Sequence, residues 1–187
     1  MGAIYEALDD GLIAFIRRQK LFFVATAPLA AEGSVNLSPK GYDSFAIIDP
    51  LTVAYLDLGG SGAETIAHVR ENGRITLMFC AFDGRANILR LYGRGEVCPF
   101  DAPGFAEKLE WFPGFTRARA VVTVRIDRIA DSCGWGVPFF EFRGERDQLR
   151  RHIDAGPHED WARRRYERNA LSIDGLPALT PYGVDVE

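Results

Sequence analysis

The sequence of 187 residues lacks the marks of secreted, membrane-spanning and nucleic-acid-binding proteins. Its three cysteines, Cys80, Cys98 and Cys133, are an odd number and widely spaced. This spacing favours reduced thiols in the cytoplasm over a disulfide framework. The first residues do not form a basic region followed by an apolar run, so we expect no secretory signal. No apolar stretch approaches the roughly 18 residues of a membrane-spanning helix, so we expect no membrane partner.

Positive charge and clustered histidines are also scarce. The chain has 22 Lys and Arg residues against 26 Asp and Glu residues, which gives a formal net charge of −4. Nucleic-acid-binding proteins are usually basic, so we expect no nucleic-acid partner. His68, His152 and His158 are scattered without the spacing of metal ligands, so we expect no metal site.

The chain is instead rich in short β-forming runs. Four of these runs come before the second predicted helix, so the regular strand–helix alternation of a Rossmann sheet is absent. Turn residues such as Asp49-Pro50 and Asp83-Gly84 join successive runs, as in antiparallel sheets. We therefore predict a mainly β (α+β) fold, an antiparallel β-barrel with peripheral helices. The predicted strands are Leu21–Ala27, Val35–Ser38, Ser44–Ile48, Thr52–Asp57, Arg74–Phe82, Ile88–Cys98 and Ala120–Ala130.

Helical patterns surround these strands. Apolar residues recur at helical spacing over residues 4–19. No repeat or Ser/Gly-rich linker divides the chain, so we expect one domain spanning residues 1–187. The other predicted helices lie near residues 63–72, 103–112, 145–154 and 158–169.

A glycine-rich turn precedes the second helix, in the stretch "DLGGSGAETIAHVREN" (57–72). Ser61 and Glu64 have the spacing of a capping box, and Gly73 is placed to end the helix. Three glycines before a helix can also expose backbone N–H groups to an anion. The stretch matches neither a Walker loop, a dinucleotide fingerprint nor a hydrolase elbow. A capped helix start and an anion site both remain open from the local sequence.

The longer stretch around this turn resembles the pyridoxamine 5′-phosphate oxidase-like family of FMN-binding split β-barrels. The resemblance is carried by the order of "SPKG", "TVAYLD", the Gly-rich turn, "NGRITLMF" and "LRLYGRGEV". It covers residues of about 10–130 and implies FMN as cofactor, with residues 131–187 as an extension. The oxidase's substrate-gripping residues and its C-terminal signature have no match here. The resemblance therefore implies the fold and FMN more than the pyridoxamine 5′-phosphate substrate.

The resemblance also implies a cofactor site. Lys40 takes the place of an Arg that contacts the phosphate or flavin, and Tyr55 falls on a residue that lines the cofactor. Glu64 and Thr65 stand where the family keeps an Arg-Lys pair that holds the FMN phosphate. Lys40, Arg85 or Arg90 would then supply the countercharge. The implied cofactor-binding set is Lys40, Gly41, Tyr42, Asp43, Ser44, Tyr55, Gly60, Ser61, Thr65, Arg90 and Trp135.

Trp135, in the segment Cys133–Pro138, has two interpretations. Its indole can stack on a planar ring such as flavin, and the neighbouring glycines permit a close approach. An aromatic plug at one end of the barrel is the favoured alternative.

These inferences lead to a functional expectation. We expect a cytoplasmic homodimer that acts as an FMN-dependent oxidoreductase on an unidentified small molecule, the dimer being implied by the resemblance. The flavin itself carries hydride or electron transfer, so the missing catalytic constellation does not argue against an enzyme. Two alternatives stay open. One is a flavin- or haem-binding protein for storage, sensing or scavenging, and the other is a barrel with no cofactor.

Overall fold

A computed structural model describes residues 2–184 of the chain. An eight-stranded antiparallel sheet dominates this part, and helices lie around it. The strands are β1 (Ile4–Tyr5), β2 (Phe22–Thr26), β3 (Asn36–Lys40), β4 (Phe45–Asp49), β5 (Thr52–Asp57), β6 (Arg74–Cys80), β7 (Ile88–Pro99) and β8 (Ala120–Ser132). The helices are α1 (Asp10–Arg18), α2 (Glu64–Asn72), α3 (Phe105–Leu109), α4 (Gln148–Asp154) and α5 (His158–Asn169).

The sheet curls because its two ends are tied together. The strand order is β3-β2-β6-β7-β8-β5-β4, with β1 paired to β8. β3 and β4 are therefore the outermost strands, yet only residues 41–44 connect them. Such a short connection forces the two edges towards each other. The predicted mainly β, antiparallel barrel with peripheral helices is confirmed.

The interior of the curled sheet is filled with aromatic and aliphatic side chains. The Phe22 ring of β2 lies 5.2 Å from that of Phe45, 5.8 Å from Tyr55 and 5.6 Å from Phe79. Side chains alternate along β5, because Tyr55 faces this core while Leu56 joins a second cluster on the outer face with Phe112. Both faces of β5 are therefore buried.

The N-terminal segment differs from the predicted helix over residues 4–19. Ile4 and Tyr5 pair with Ala130 and Ile129 of β8, so the chain begins as a strand. Helix α1 starts only at Asp10, where the Asp9 side chain accepts a hydrogen bond of 2.8 Å from the N–H of Leu12. Ile4 fitted the helical spacing, but its side chain is 65% exposed on β1, so it lies on no buried helix face.

The C-terminal helices flank the Gly-rich turn that joins β5 to α2. Helix α5 buries Trp161, Arg165 and Asn169, and the Trp161 ring lies 5.0 Å from that of Phe100. Within residues 2–184, no helix is both long and apolar enough to cross a membrane.

Candidate anion-binding site

The Gly-rich turn is held from one side by side chains that donate to its carbonyl groups. Asn169 Nδ2 lies 3.4 Å from the carbonyl oxygens of Gly60 and Ser61, and Arg119 Nη1 donates to the Gly62 carbonyl at 2.7 Å. In a trans peptide the next N–H points opposite to the carbonyl. The N–H groups that follow these carbonyls therefore point away from Asn169 and Arg119. Among the described residues, none accepts a hydrogen bond from the N–H of Gly60, Ser61 or Gly62.

Helix α2 begins without the predicted capping box. Its first residue is Glu64, and no side chain in the described part of the chain caps its N-terminus. The Glu64 carboxylate instead accepts a hydrogen bond of 3.2 Å from the N–H of Ile173 in the C-terminal extension. A Cβ on Gly62 would lie 2.2 Å from Glu64 Oε2, so the Glu64 side chain would have to shift to admit a larger residue at this position. Gly73 ends the helix in the left-handed conformation, as predicted.

A cavity of about 670 Å³ opens beside the turn and brings together four residues of the predicted set. They are Lys40 at the end of β3, Gly60 and Ser61 in the turn, and Thr65 in the first turn of α2. The extension closes one side of the cavity with residues 171–173. One cation, two hydroxyl groups and several free N–H groups thus meet at one opening, which is the chemistry that an oxoanion requires.

The Thr65 hydroxyl is oriented by a buried hydrogen-bond network. Asn36 Nδ2 donates to Thr65 Oγ1 at 2.9 Å and to Thr26 Oγ1 at 3.0 Å, while Ser38 Oγ donates to Asn36 Oδ1 at 3.2 Å. Thr26 Oγ1 in turn lies 3.0 Å from Nδ1 of the fully buried His68. Because Thr65 Oγ1 already accepts from Asn36, its own proton is left to donate elsewhere.

An ion pair missed by the sequence analysis supports the floor of the cavity. Arg119, immediately before β8, and Asp57, at the end of β5, approach to 2.8 Å, and both side chains are almost completely buried. Burial alone would raise the pKa of Asp57. The charges of Arg119 and Lys40, with hydrogen bonds from Arg119 and the Gly59 N–H, outweigh burial and lower that pKa from 3.8 to about 2. The sequence signal that could have indicated this ion pair is the carboxylate at the end of an otherwise apolar strand.

The free energy of unfolding at low pH should depend on this ion pair. A carboxylate with a lowered folded-state pKa stabilises the protein above its unfolded pKa, and this stabilisation is lost as the pH falls through the folded pKa. We expect about 2 kcal/mol of the unfolding free energy to disappear between pH 4 and pH 2 because of Asp57. Urea unfolding over this pH range should show that the free energy of unfolding falls less steeply with decreasing pH in Asp57→Asn than in the wild type. Parallel losses in the two proteins would contradict the assignment.

The residues predicted to flank a flavin lie next to this cavity. Gly41, Asp43 and Ser44 line a second cavity of about 540 Å³, and Tyr42 lines a third that shares Gly41 with it. Tyr42 and Asp43 have positive φ angles, so the connection between β3 and β4 is a tight turn. Tyr55 is fully buried in the barrel core and lines none of these three cavities.

Two further residues of the predicted set lie outside these cavities. Arg90 on β7 donates to Ser132 Oγ at 3.0 Å and lines none of these cavities. The Trp135 side chain is 86% exposed, so it does not plug an end of the barrel. Gly134 has a φ of 65° and packs on the Asn87 backbone, which explains one glycine of this segment without a ligand.

The curled antiparallel sheet, with outer strands joined by a short turn, defines the class of split β-barrels. Within that class the chain belongs to the pyridoxamine 5′-phosphate oxidase family, because the family model of that name matches residues 8–133. A family relative, the pyridoxamine 5′-phosphate oxidase family protein ustO of Aspergillus flavus, is 38% identical over 196 aligned positions. This alignment covers 96% of the chain and 78% of the relative.

Solved structures support the same fold. A variant of HupZ from group A Streptococcus has a TM-score of 0.54 at 25% identity, over 66% of this chain and 98% of that protein. A candidate pyridoxamine 5′-phosphate oxidase from Lactobacillus delbrueckii has a TM-score of 0.53 at 20% identity, over 67% of this chain and 94% of that protein. At this identity the second likeness shows the fold alone.

Proposed function

We propose that the protein is an FMN-dependent oxidoreductase that acts on a small molecule. The observation that carries the proposal is the meeting of Lys40, Thr65 and the free N–H groups of the Gly-rich turn at one cavity. The phosphate of FMN would lie there. The adjoining cavity beside Gly41, Asp43 and Ser44 would hold the flavin ring. When bound, FMN would supply the hydride or electron transfer.

The residues of the cavity fit a phosphate group. The N–H groups of Ser61 and Gly62 have no acceptor within the described chain, and Thr65 has a proton free to donate. Lys40 is half-buried, so its charge is less screened than that of a fully exposed lysine. These donors would bind the phosphate in place of the Arg-Lys pair that the family resemblance places at the start of α2.

Glu64 also lines this cavity, so a bound phosphate must lie away from its carboxylate. Its carboxylate accepts from the Ile173 N–H and is turned back over Gly62. Because the extension holds it there, its charge is partly satisfied by a protein donor. We infer that the extension makes the replacement of a family cation by an acid tolerable.

FMN binding is tested by a spectroscopic titration. We expect FMN to bind at micromolar concentrations and riboflavin to bind at least tenfold more weakly, because riboflavin lacks the phosphate. Flavin absorbance and fluorescence during titration of the purified protein measure both affinities. Equal affinities for FMN and riboflavin would show that the FMN phosphate does not bind in this cavity. If neither flavin binds, the cofactor assignment is wrong.

Catalysis is tested separately from binding. Stopped-flow mixing of the FMN-loaded protein with NADH or NADPH, followed by air, should show bleaching and recovery of the flavin band. A flavin that no donor reduces would favour the alternative of a non-catalytic binding protein. A panel of small oxidised molecules can then identify the substrate.

Assembly and location complete the proposal. We propose a homodimer, as the family resemblance implies, and a sedimentation-velocity experiment tests it directly. The cytoplasm is proposed because Cys80, Cys98 and Cys133 are all free thiols.

A further inference from the structure

A separate basic cavity lies on the opposite side of the Gly-rich turn, against the C-terminal helices. It has a volume of about 420 Å³ and shares Gly60 and Ser61 with the first cavity. The other lining residues come from α4 and α5: Leu149, His152, Arg165 and Arg168. The turn thus separates two cavities, and each contains cationic side chains.

Arg165 is the most unusual residue of this second cavity. It is only 4% exposed, and its buried Nε has no hydrogen-bond partner in the described chain. Its Nη2 donates to His152 Nε2 at 3.1 Å, which is a neutral acceptor rather than a carboxylate. Within residues 2–184, no acidic side chain comes within 4.0 Å of its guanidinium. The Trp161 ring, 5.8 Å away, supplies only a partial negative charge.

The charges around the turn do not balance. Arg119 and Arg165 are both buried beside Gly59–Gly62, but the one buried carboxylate among residues 2–184 is that of Asp57, which is already paired with Arg119. Burial, and then repulsion from Arg119, Arg168 and Arg164, lowers the pKa of Arg165. A buried cation is usually paired, so an anion is the missing partner.

We propose that this second cavity binds a phosphate or pyrophosphate group, held by Arg165, Arg168 and the Ser61 hydroxyl. His152 accepts from Arg165 through Nε2, which leaves its Nδ1–H as an additional donor. The cavity is large enough for a phosphate group and several waters. The site is independent of the proposed FMN-phosphate site, from which the backbone of Gly60 and Ser61 separates it.

The second cavity is a property of the extension rather than of the family core. The family model ends at residue 133, whereas the cationic residues of this cavity lie in α4 and α5. Two sources of the ligand share the same chemistry. One is a separate phosphorylated compound, and the other is the second phosphate of a dinucleotide flavin whose first phosphate lies in the first cavity.

The test is calorimetric titration with inorganic phosphate. We expect Arg168→Gln to weaken phosphate binding to the second cavity about tenfold, because a charged donor is lost. The exposed Arg168 is chosen because replacing the buried Arg165 risks unfolding the protein. Arg163→Gln is the matched control, since it removes an exposed arginine of the same helix that does not line the cavity.

The Lys40→Ala variant separates the second site from the proposed FMN-phosphate site, because Lys40 lines only the first cavity. In this variant, phosphate binding that depends on Arg168 should persist. If Arg168→Gln and Arg163→Gln bind phosphate equally, or if Lys40→Ala abolishes all phosphate binding, the second site is overturned. If FMN fails to bind while the Arg168-dependent phosphate site remains, the cofactor proposal falls and the second site stands.

Titration with FMN and FAD distinguishes the two sources of phosphate. A loss in Arg168→Gln of about tenfold in FAD affinity, with unchanged FMN affinity, would identify the second phosphate of a dinucleotide flavin. Unchanged affinity for both flavins, with weaker binding of inorganic phosphate, would identify a separate phosphorylated compound. Both results support the site.

Discussion

Replacing Arg119 by methionine should lower the free energy of unfolding by about 3–5 kcal/mol. The substitution leaves the Asp57 carboxylate buried without its cation. It also removes the donor to the Gly62 carbonyl, so the Gly-rich turn loses one of its supports. Chemical denaturation at neutral pH measures the change.

An exposed ion pair provides the control for this prediction. Arg163 contacts Asp160 at 3.5 Å and Glu167 at 2.9 Å, but more than half of each of these side chains is exposed. Arg163→Met should therefore lower the free energy of unfolding far less than Arg119→Met does. The prediction is wrong if the two variants lose similar stability. A double variant, Asp57→Asn with Arg119→Met, should be more stable than Arg119→Met alone, because it leaves no unpaired charge.

Replacing Lys40 by alanine should weaken FMN binding about 10- to 100-fold. Lys40 ends β3 at the mouth of the first cavity, where its ammonium group can pair with the phosphate dianion. The affinity for riboflavin should change little, because riboflavin has no phosphate. Fluorescence titration of both flavins measures the two effects.

Arg163→Ala is the reference for that experiment. It removes one positive charge from the surface of α5, and Arg163 lines none of the described cavities. Its FMN affinity should match that of the wild type. Equal weakening by Lys40→Ala and Arg163→Ala would mean that only the overall charge matters and that the phosphate lies elsewhere.

The strands were largely predictable because their signals are local. β5 has the bounds expected from the sequence, Thr52–Asp57, since an apolar run between turn residues leaves little choice. β7 and β8 were also located, each extending one or two residues beyond the prediction. The N-terminal segment was assigned wrongly because the pairing of Ile4 with Ala130 joins residues far apart in the chain.

The site was predictable only in part. Lys40, Gly60, Ser61 and Thr65 were named from the sequence, and the structure brings them to one cavity. Their role in cofactor binding stays a prediction. The capping box was wrong because its acid meets the N–H of Ile173, more than one hundred residues away, rather than the turn beside it. No local pattern could have shown this contact.

The sequence by itself determined most of the strands and helices, the family and the place of the Gly-rich turn. These depend on apolar periodicity, turn residues and their order along the chain. Only the tertiary structure decided which charges surround that turn. Asp57 and Arg119 are 62 residues apart in the sequence but form an ion pair, and Arg165 lies in α5 of the C-terminal extension. Coulombic pairing depends on distance in space and on burial, and neither quantity is encoded by neighbouring residues.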